Sequence, residues 1–301
     1  MARYLGDINT RARGLRTHLL PASDLERLAR ATSLFVLQRE LSGLGYARSD
    51  APATAMSLEK EIRRHAAGQI TILERWCTDD RRTILAVIFE DEDRRSIQAI
   101  LRGAQQGTAT EARMAGLVPT RSLPERALLF EIEIELQRAF ARRASARAHL
   151  GGSQLVEYVK QVVDVMNTWS ALLHFVERDP SIVDMTFVDG GRWLTRDVFH
   201  KLMSLETRPQ LEKRLAWELR KSALGSAFRH DIEDLAQLES AMLHAQIDWQ
   251  NRAVRIDPSG AAPIIGFAIE LRAEVLNLRR IIWGVALRAP AALIQADMVV
   301  A

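Results

Sequence analysis

Apolar residues recur every three or four positions through most of this chain, and that period constrains the fold class more than any other feature. After Pro21 and the Ser23-Asp24 pair, Leu28, Leu34 or Phe35, Leu37 or Gln38, and Leu41 follow at helical spacing, so a helix begins near Ala22. Further on, Ile232, Leu235, Leu238, Met242, Ala245 and Trp249 form one stripe, with Glu233, Asp234, Gln237 and Glu239 on the other face. Phe130–Leu136 alternates like a strand, but Leu128, Ile132, Leu136 and Phe140 make an i, i+4 row, and the segment is read as helix. Breakers at Pro52, Gly107, Gly116 to Pro124, Gly151-Gly152, Pro180, Gly190-Gly191, Pro209, Gly225 and Pro258 to Pro263 divide the chain into roughly ten helices. No Asn-Gly or Asp-Gly turn joins two β-branched runs. The expected fold class is all-α.

Three helices share a pattern. Asp93 and Ser96 precede Ile100-Leu101 and Gly103; Asp164 and Asn167 precede Ala171-Leu172 and His174; Glu274 and Asn277 precede Ile281-Ile282 and Gly284. About twenty residues after the first two copies come Leu117-Val118-Pro119-Thr120 and Phe187-Val188-Asp189-Gly190-Gly191, whereas the third copy runs into the C-terminus. Ser96, Asn167 and Asn277 lie 71 and then 110 positions apart, a spacing of diverged duplicates rather than of a short-period solenoid. An acid and an amide at i, i+3 share a helix face. If that face is buried, both must be hydrogen-bonded, and the pair would lock helix register.

Composition excludes several classes. With 48% hydrophobic residues and interspersed charges, the 301-residue chain folds rather than remaining disordered. A net charge of +3 is too small to indicate nucleic-acid binding, and none is expected. The single Cys77 forms no internal disulfide, which suits a reducing cytoplasm, and the charged N-terminus implies no export. Ile281 to Ala296 is interrupted by Arg288 and Pro290 and is too short for a membrane span.

No phosphate loop, His-Glu-x-x-His, Cys-x-x-Cys or Gly-x-Ser-x-Gly elbow is present, and no catalytic, cofactor or metal site is expected. The enzyme alternative is a helical metal phosphohydrolase using His200, His230-Asp231 and Asp248 or Asp257. Against it, His230 and Asp231 suit a helix N-terminus. Glu90-Asp91-Glu92-Asp93 reads as an acidic first turn before Ile97, and Cys77 as a buried thiol. The six tryptophans, Trp169, Trp193, Trp217, Trp249 and Trp283 among them, read as core or wedge-contact residues. The row Arg138, Arg142, Arg143, Arg147 reads as a solvated face or as a contact to an acidic partner. A free-standing helical scaffold is the other alternative.

The order of these features resembles a known family, the central-stalk adaptor of V-type and A-type rotary ATPases, known as the C-type subunit in prokaryotes and the d-type subunit in eukaryotes. The resemblance runs from Tyr4, the Arg11-Ala12-Arg13-Gly14-Leu15-Arg16 helix with Leu19-Leu20, and Leu41 to Tyr46. It continues through Asp164 and Asn167, the Phe187–Gly191 turn, and Glu270, Glu274-Val275, Asn277-Leu278-Arg279 and Ile281. Leu44 replaces an expected Thr, Ser96 an expected Asn, and the first copy lacks a Gly-Gly turn. The resemblance implies one funnel-shaped domain over 1–301, with wedges 1–118, 119–204 and 205–301 related by a pseudo-threefold axis. It implies a non-catalytic piece that joins the central-shaft subunits to the proteolipid ring, peripheral on the cytoplasmic side, and couples ATP hydrolysis or synthesis to ion transport, the proton being the expected ion.

Overall fold

The computed structural model describes residues 5–50, 52–103, 129–175, 180–228, 235–296 and 298–299. Within them, helices occur and strands do not, so the chain is all-α. The chain divides into two compact units, one formed by Asp79–Gly225 and the other by Tyr4–Thr78 together with Ser226–Ala301.

The discontinuous unit contains α1 (Gly6–Arg16), α2 (Ala22–Ala29), α3 (Leu34–Gly43) and α4 (Ala55–Arg75), then α11 (Leu235–Ile256), α12 (Ala262–Ala286) and α13 (Ala291–Ala296). The apolar row after Pro21 is two helices, because residues 30–33 leave the helix and Ser33 caps a new one by accepting the Val36 N–H. Helix α12 is the axis of the unit and packs against all six others. Seventeen of its 25 residues are buried, all round the helix, which is how a central rather than a peripheral helix reads. Leu28, Leu37, Leu41, Leu58 and Ile62 meet its C-terminal half at Leu278, Ile281 and Ile282. In α11, Leu238, Met242 and Ala245 are buried as expected, while Trp249 is half-buried. Ile232, Glu233 and Asp234 lie outside the described residues.

The continuous unit contains α5 (Asp79–Gly103), α6 (Leu129–Ala148), α7 (Ser153–His174), α8 (Pro180–Thr186), α9 (Arg196–Met203) and α10 (Arg208–Leu219). Helix α6 lies against α5 and α7, and α7 meets α8, α9 and α10. The Phe130–Leu136 segment is helical, as its i, i+4 row requires. Its alternating glutamates are half-buried, while Leu136, Ala139, Phe140 and Ala144 supply the buried face. Thr207 and Gln210 form a reciprocal capping box that starts α10, and Leu211, Leu215 and Leu219 form its core stripe.

The tryptophans are not core residues. Trp76, Trp217 and Trp283 are 45%, 56% and 40% exposed, and Trp169, Trp193 and Trp249 are half-buried. Each needs a partner for a large polar-edged ring. Arginines supply several, with Arg11 3.1 Å above Trp76 and Arg220 3.7 Å above Trp217. The Trp283 indole donates to Glu59 at 2.8 Å. No described helix is long and apolar enough to cross a membrane.

Candidate functional site

Two of the three repeat positions turn out to be the same device. On α7, Asp164 and Asn167 lie one turn apart and are fully buried. Asn167 donates from Nδ2 to the Val188 carbonyl at 2.9 Å and accepts the Val188 N–H on Oδ1 at 2.9 Å. A side-chain amide thereby mimics a strand partner for a single peptide residue. Asp164 accepts the backbone N–H groups of Trp193 (3.1 Å) and Leu194 (3.0 Å) on Oδ1, and those of Arg192 and Trp193 (both 3.2 Å) on Oδ2. Residues 188–194 are therefore pinned at both ends to one turn of helix.

The glycines in this loop have separate reasons. Gly190 has φ +112°, a conformation that side chains resist. At Gly191, a Cβ would sit 2.5 Å from Asp164 Oδ1, so the carboxylate reaches the loop only because no side chain is there. Burial pushes the Asp164 carboxyl up to about 6, against the pull of the Leu194, Trp193 and Arg192 N–H groups.

On α12, Glu274 and Asn277 repeat the arrangement. Asn277 donates to the Val299 carbonyl at 2.7 Å and accepts the Val299 N–H at 2.8 Å. Val299 follows Asn277 by 22 positions, and Val188 follows Asn167 by 21. The third copy therefore has its backbone partner after all, in the short segment after α13. Glu274 accepts the Leu20 N–H at 2.6 Å and the Tyr46 hydroxyl at 2.8 Å, both on Oε1. Its donors come from the early part of the chain rather than from a following loop. Burial raises the Glu274 carboxyl, and burial together with the Glu274 charge raises the Tyr46 phenol. One turn earlier, Glu270 pairs with Arg16 at 2.5 Å. A cavity of about 230 Å³ opens beside these groups, lined by Arg16, Leu20, Glu270, Glu274, Asn277 and Val299 among others.

The first copy differs. Asp93 and Ser96 are exposed on α5. The buried acid is Asp91, which accepts from Arg94 Nη2 at 2.6 Å, from Arg95 Nε at 3.3 Å and from the Tyr158 hydroxyl at 2.8 Å. The reason is helical phase. Ile84 and Ile88 put the inner face of α5 at Asp91, and two residues further is about 200° round the helix. The first-copy turn at Leu117 to Thr120 lies outside the described residues. The acidic run is not a first turn either, because α5 begins at Asp79, well before Glu90.

The arginine row makes its contacts inside its own unit. Arg143 (3.1 Å) and Arg147 pair with Glu90, Arg142 pairs with Glu135 at 2.8 Å, and Arg138 donates to the carbonyls of Asp184 (2.7 Å) and Phe187 (3.2 Å).

For the metal-enzyme alternative, His200 is 44% exposed and pairs with Asp184 at 3.1 Å, while Asp257 accepts the Ser259 and Gly260 N–H groups in a turn. His230 and Asp231 lie outside the described residues, and among those described no three His, Cys, Asp or Glu could hold a metal ion. Cys77 is buried, with its thiol on the Leu73 carbonyl at 3.2 Å. The buried carboxylates are held by backbone and side-chain donors, so the arrangement holds chain segments in place and activates no nucleophile.

Sequence reasoning missed Asp91 and the Tyr158 and Tyr46 hydroxyls that donate to buried acids. The phase set by Ile84 and Ile88 was a signal for the first. Nothing local marks the tyrosines.

No curated protein matches the chain. The family model of the ATP synthase (C/AC39) subunit matches residues 8–129 and 122–296, nearly the full length. The chain belongs to that family, the C/d-type subunits of the V/A-type rotary ATPases, which are non-catalytic structural parts of the enzyme.

Proposed function

We propose that this protein is the rotor adaptor of a V/A-type ATPase, which joins the central-shaft subunits of the soluble sector to the proteolipid ring. In that position it transmits the torque that couples ATP hydrolysis or synthesis to ion transport, the proton being the expected ion. The observation that carries the reading is the family match along the chain. The latches fit it physically. A torque-bearing part must not slip or creep, and close-packed helices whose connecting segments are pinned by buried hydrogen bonds deform little under load. The chain is read as three wedges, 1–118, 119–204 and 205–301. In the latter two the latches are Asp164 with Asn167 and Glu274 with Asn277. In the first, Asp91 holds the buried position in place of Asp93. The protein sits peripherally on the cytoplasmic face, in keeping with the absence of a membrane-crossing helix among the described residues.

Affinity purification of the tagged full chain from its native host is the test. Co-purification of the catalytic, shaft and ring subunits in constant ratio is expected. Recovery of the chain without them refutes the adaptor role.

A further inference from the structure

The continuous unit holds a cavity of about 290 Å³, apart from the latch contacts of Asp164. Its wall is Arg138 and Arg142 from α6, Val188 and Asp189 from the pinned loop, and Arg196 at the start of α9. Three guanidinium groups and one carboxylate line it, and Glu135 and Asp184, paired with Arg142 and Arg196, bring the cluster to charge balance, so what the cavity offers a ligand is guanidinium N–H donors rather than net charge. Arg142 and Arg196 are oriented by ion pairs that leave some of their N–H donors over, and Arg138 is oriented by neutral groups. Arg138 is held by two backbone carbonyls through Nε and Nη2, and these bonds cancel no charge. Its Nη1 donors remain available. Arg142 uses only Nη2, on Glu135, and keeps Nε and Nη1. Arg196 is oriented by Asp184 at 3.3 Å and Asp189 at 3.0 Å, with its guanidinium 4.8 Å from the Phe187 ring centroid.

We propose that this cavity binds a phosphate-class oxyanion on Arg138, Arg142 and Arg196. Guanidinium groups match the geometry of phosphate oxygens and bind them by charge-assisted hydrogen bonds. The site is pre-organised, because Asn167 fixes Val188 and two carbonyls fix Arg138, so little ordering remains to oppose binding. At about 30 Å³ per water, the volume takes a phosphate or pyrophosphate with several waters. The phosphate can be free in solution or the headgroup of an anionic lipid. This inference does not rest on the adaptor reading.

Calorimetric titration of the full chain with pyrophosphate, at constant ionic strength, is expected to give one saturable site with a Kd of about 1 mM or tighter. Arg142→Ala removes only an exposed ion pair from the fold, so the melting temperature should be unchanged while affinity drops about tenfold. Glu135→Gln frees Arg142 and should tighten binding about twofold to threefold. Flotation with phosphatidylglycerol against phosphatidylcholine vesicles separates the sources. Selective flotation that pyrophosphate competes away and Arg142→Ala abolishes identifies a lipid headgroup; pyrophosphate binding without flotation identifies a soluble phosphate. No binding in either arm, or binding that Arg142→Ala leaves unchanged, overturns the proposal.

Discussion

Replacing Asn167 by Ala removes both hydrogen bonds to Val188 at once. Asn167 and Val188 are each 0% exposed, so the N–H and C=O left behind have no water to turn to. An unsatisfied buried polar group costs about 1–3 kcal/mol, which for two groups centres on about 3–4 kcal/mol. Domain stabilities are about 5–15 kcal/mol, so this single amide holds a large share of its unit. At about 2–4 °C per kcal/mol for a unit of this size, the melting temperature should fall by roughly 6–16 °C. Urea denaturation followed by far-UV circular dichroism, with calorimetry alongside, measures both. Asn277→Ala serves as a twin, since its bonds to Val299 have the same geometry in the other unit, and it should cost that unit a similar amount. Asn167→Asp keeps the acceptor for the Val188 N–H but sets a carboxylate oxygen against the Val188 carbonyl, so it should be destabilised at neutral pH and recover on acidification. A cost below about 1 kcal/mol for both alanine variants would refute the latch argument.

Gly191→Ala should destabilise the continuous unit by about 1–3 kcal/mol in the same denaturation assay, because the new methyl meets Oδ1 of the Asp164 carboxylate, whose two oxygens together accept four N–H contacts that hold it in place. Asp164 has its folded pKa raised to about 6 from 3.8, so the folded state binds the proton more tightly. The stability it lends is present below pH 4 and is lost as pH rises to 6, about 3 kcal/mol in all. Asp164→Asn should abolish that part of the stability-versus-pH curve. Arg94→Met should cost about 3–5 kcal/mol by denaturation, since it leaves the Asp91 carboxylate buried with a diminished set of donors.

The helical class and the latches at Asp164, Asn167, Glu274 and Asn277 were legible because they depend on spacing along one helix. An acid and an amide three apart share a face wherever the helix sits. The partners were not equally legible. Val188 could be guessed from the Gly190-Gly191 turn beside it, whereas Val299 stands in a segment without glycine or repeated pattern. In Glu90-Asp91-Glu92-Asp93, four adjacent carboxylates offer every helical phase, and the inner one follows only from Ile84 and Ile88. The contacts of the arginine row were hidden for a different reason. Whether Arg143 faces solvent, a partner or Glu90 depends on how α5 and α6 pack, which no one-dimensional pattern encodes. The tryptophans show the limit of hydrophobicity as a guide, since Trp76 and Trp217 lie at the surface beneath guanidinium groups.

The discontinuous unit gathers Leu20, Glu274, Asn277 and Val299 around one turn of α12. During translation, the intervening unit from Asp79 to Gly225 emerges whole and can complete its contacts on the ribosome. Helices α1 to α4, with Leu28, Leu37 and Leu58 uncovered, must wait for α12 to be synthesised. The nascent chain thus exposes its earliest apolar surface longest, and a holding chaperone would have most to protect in that interval.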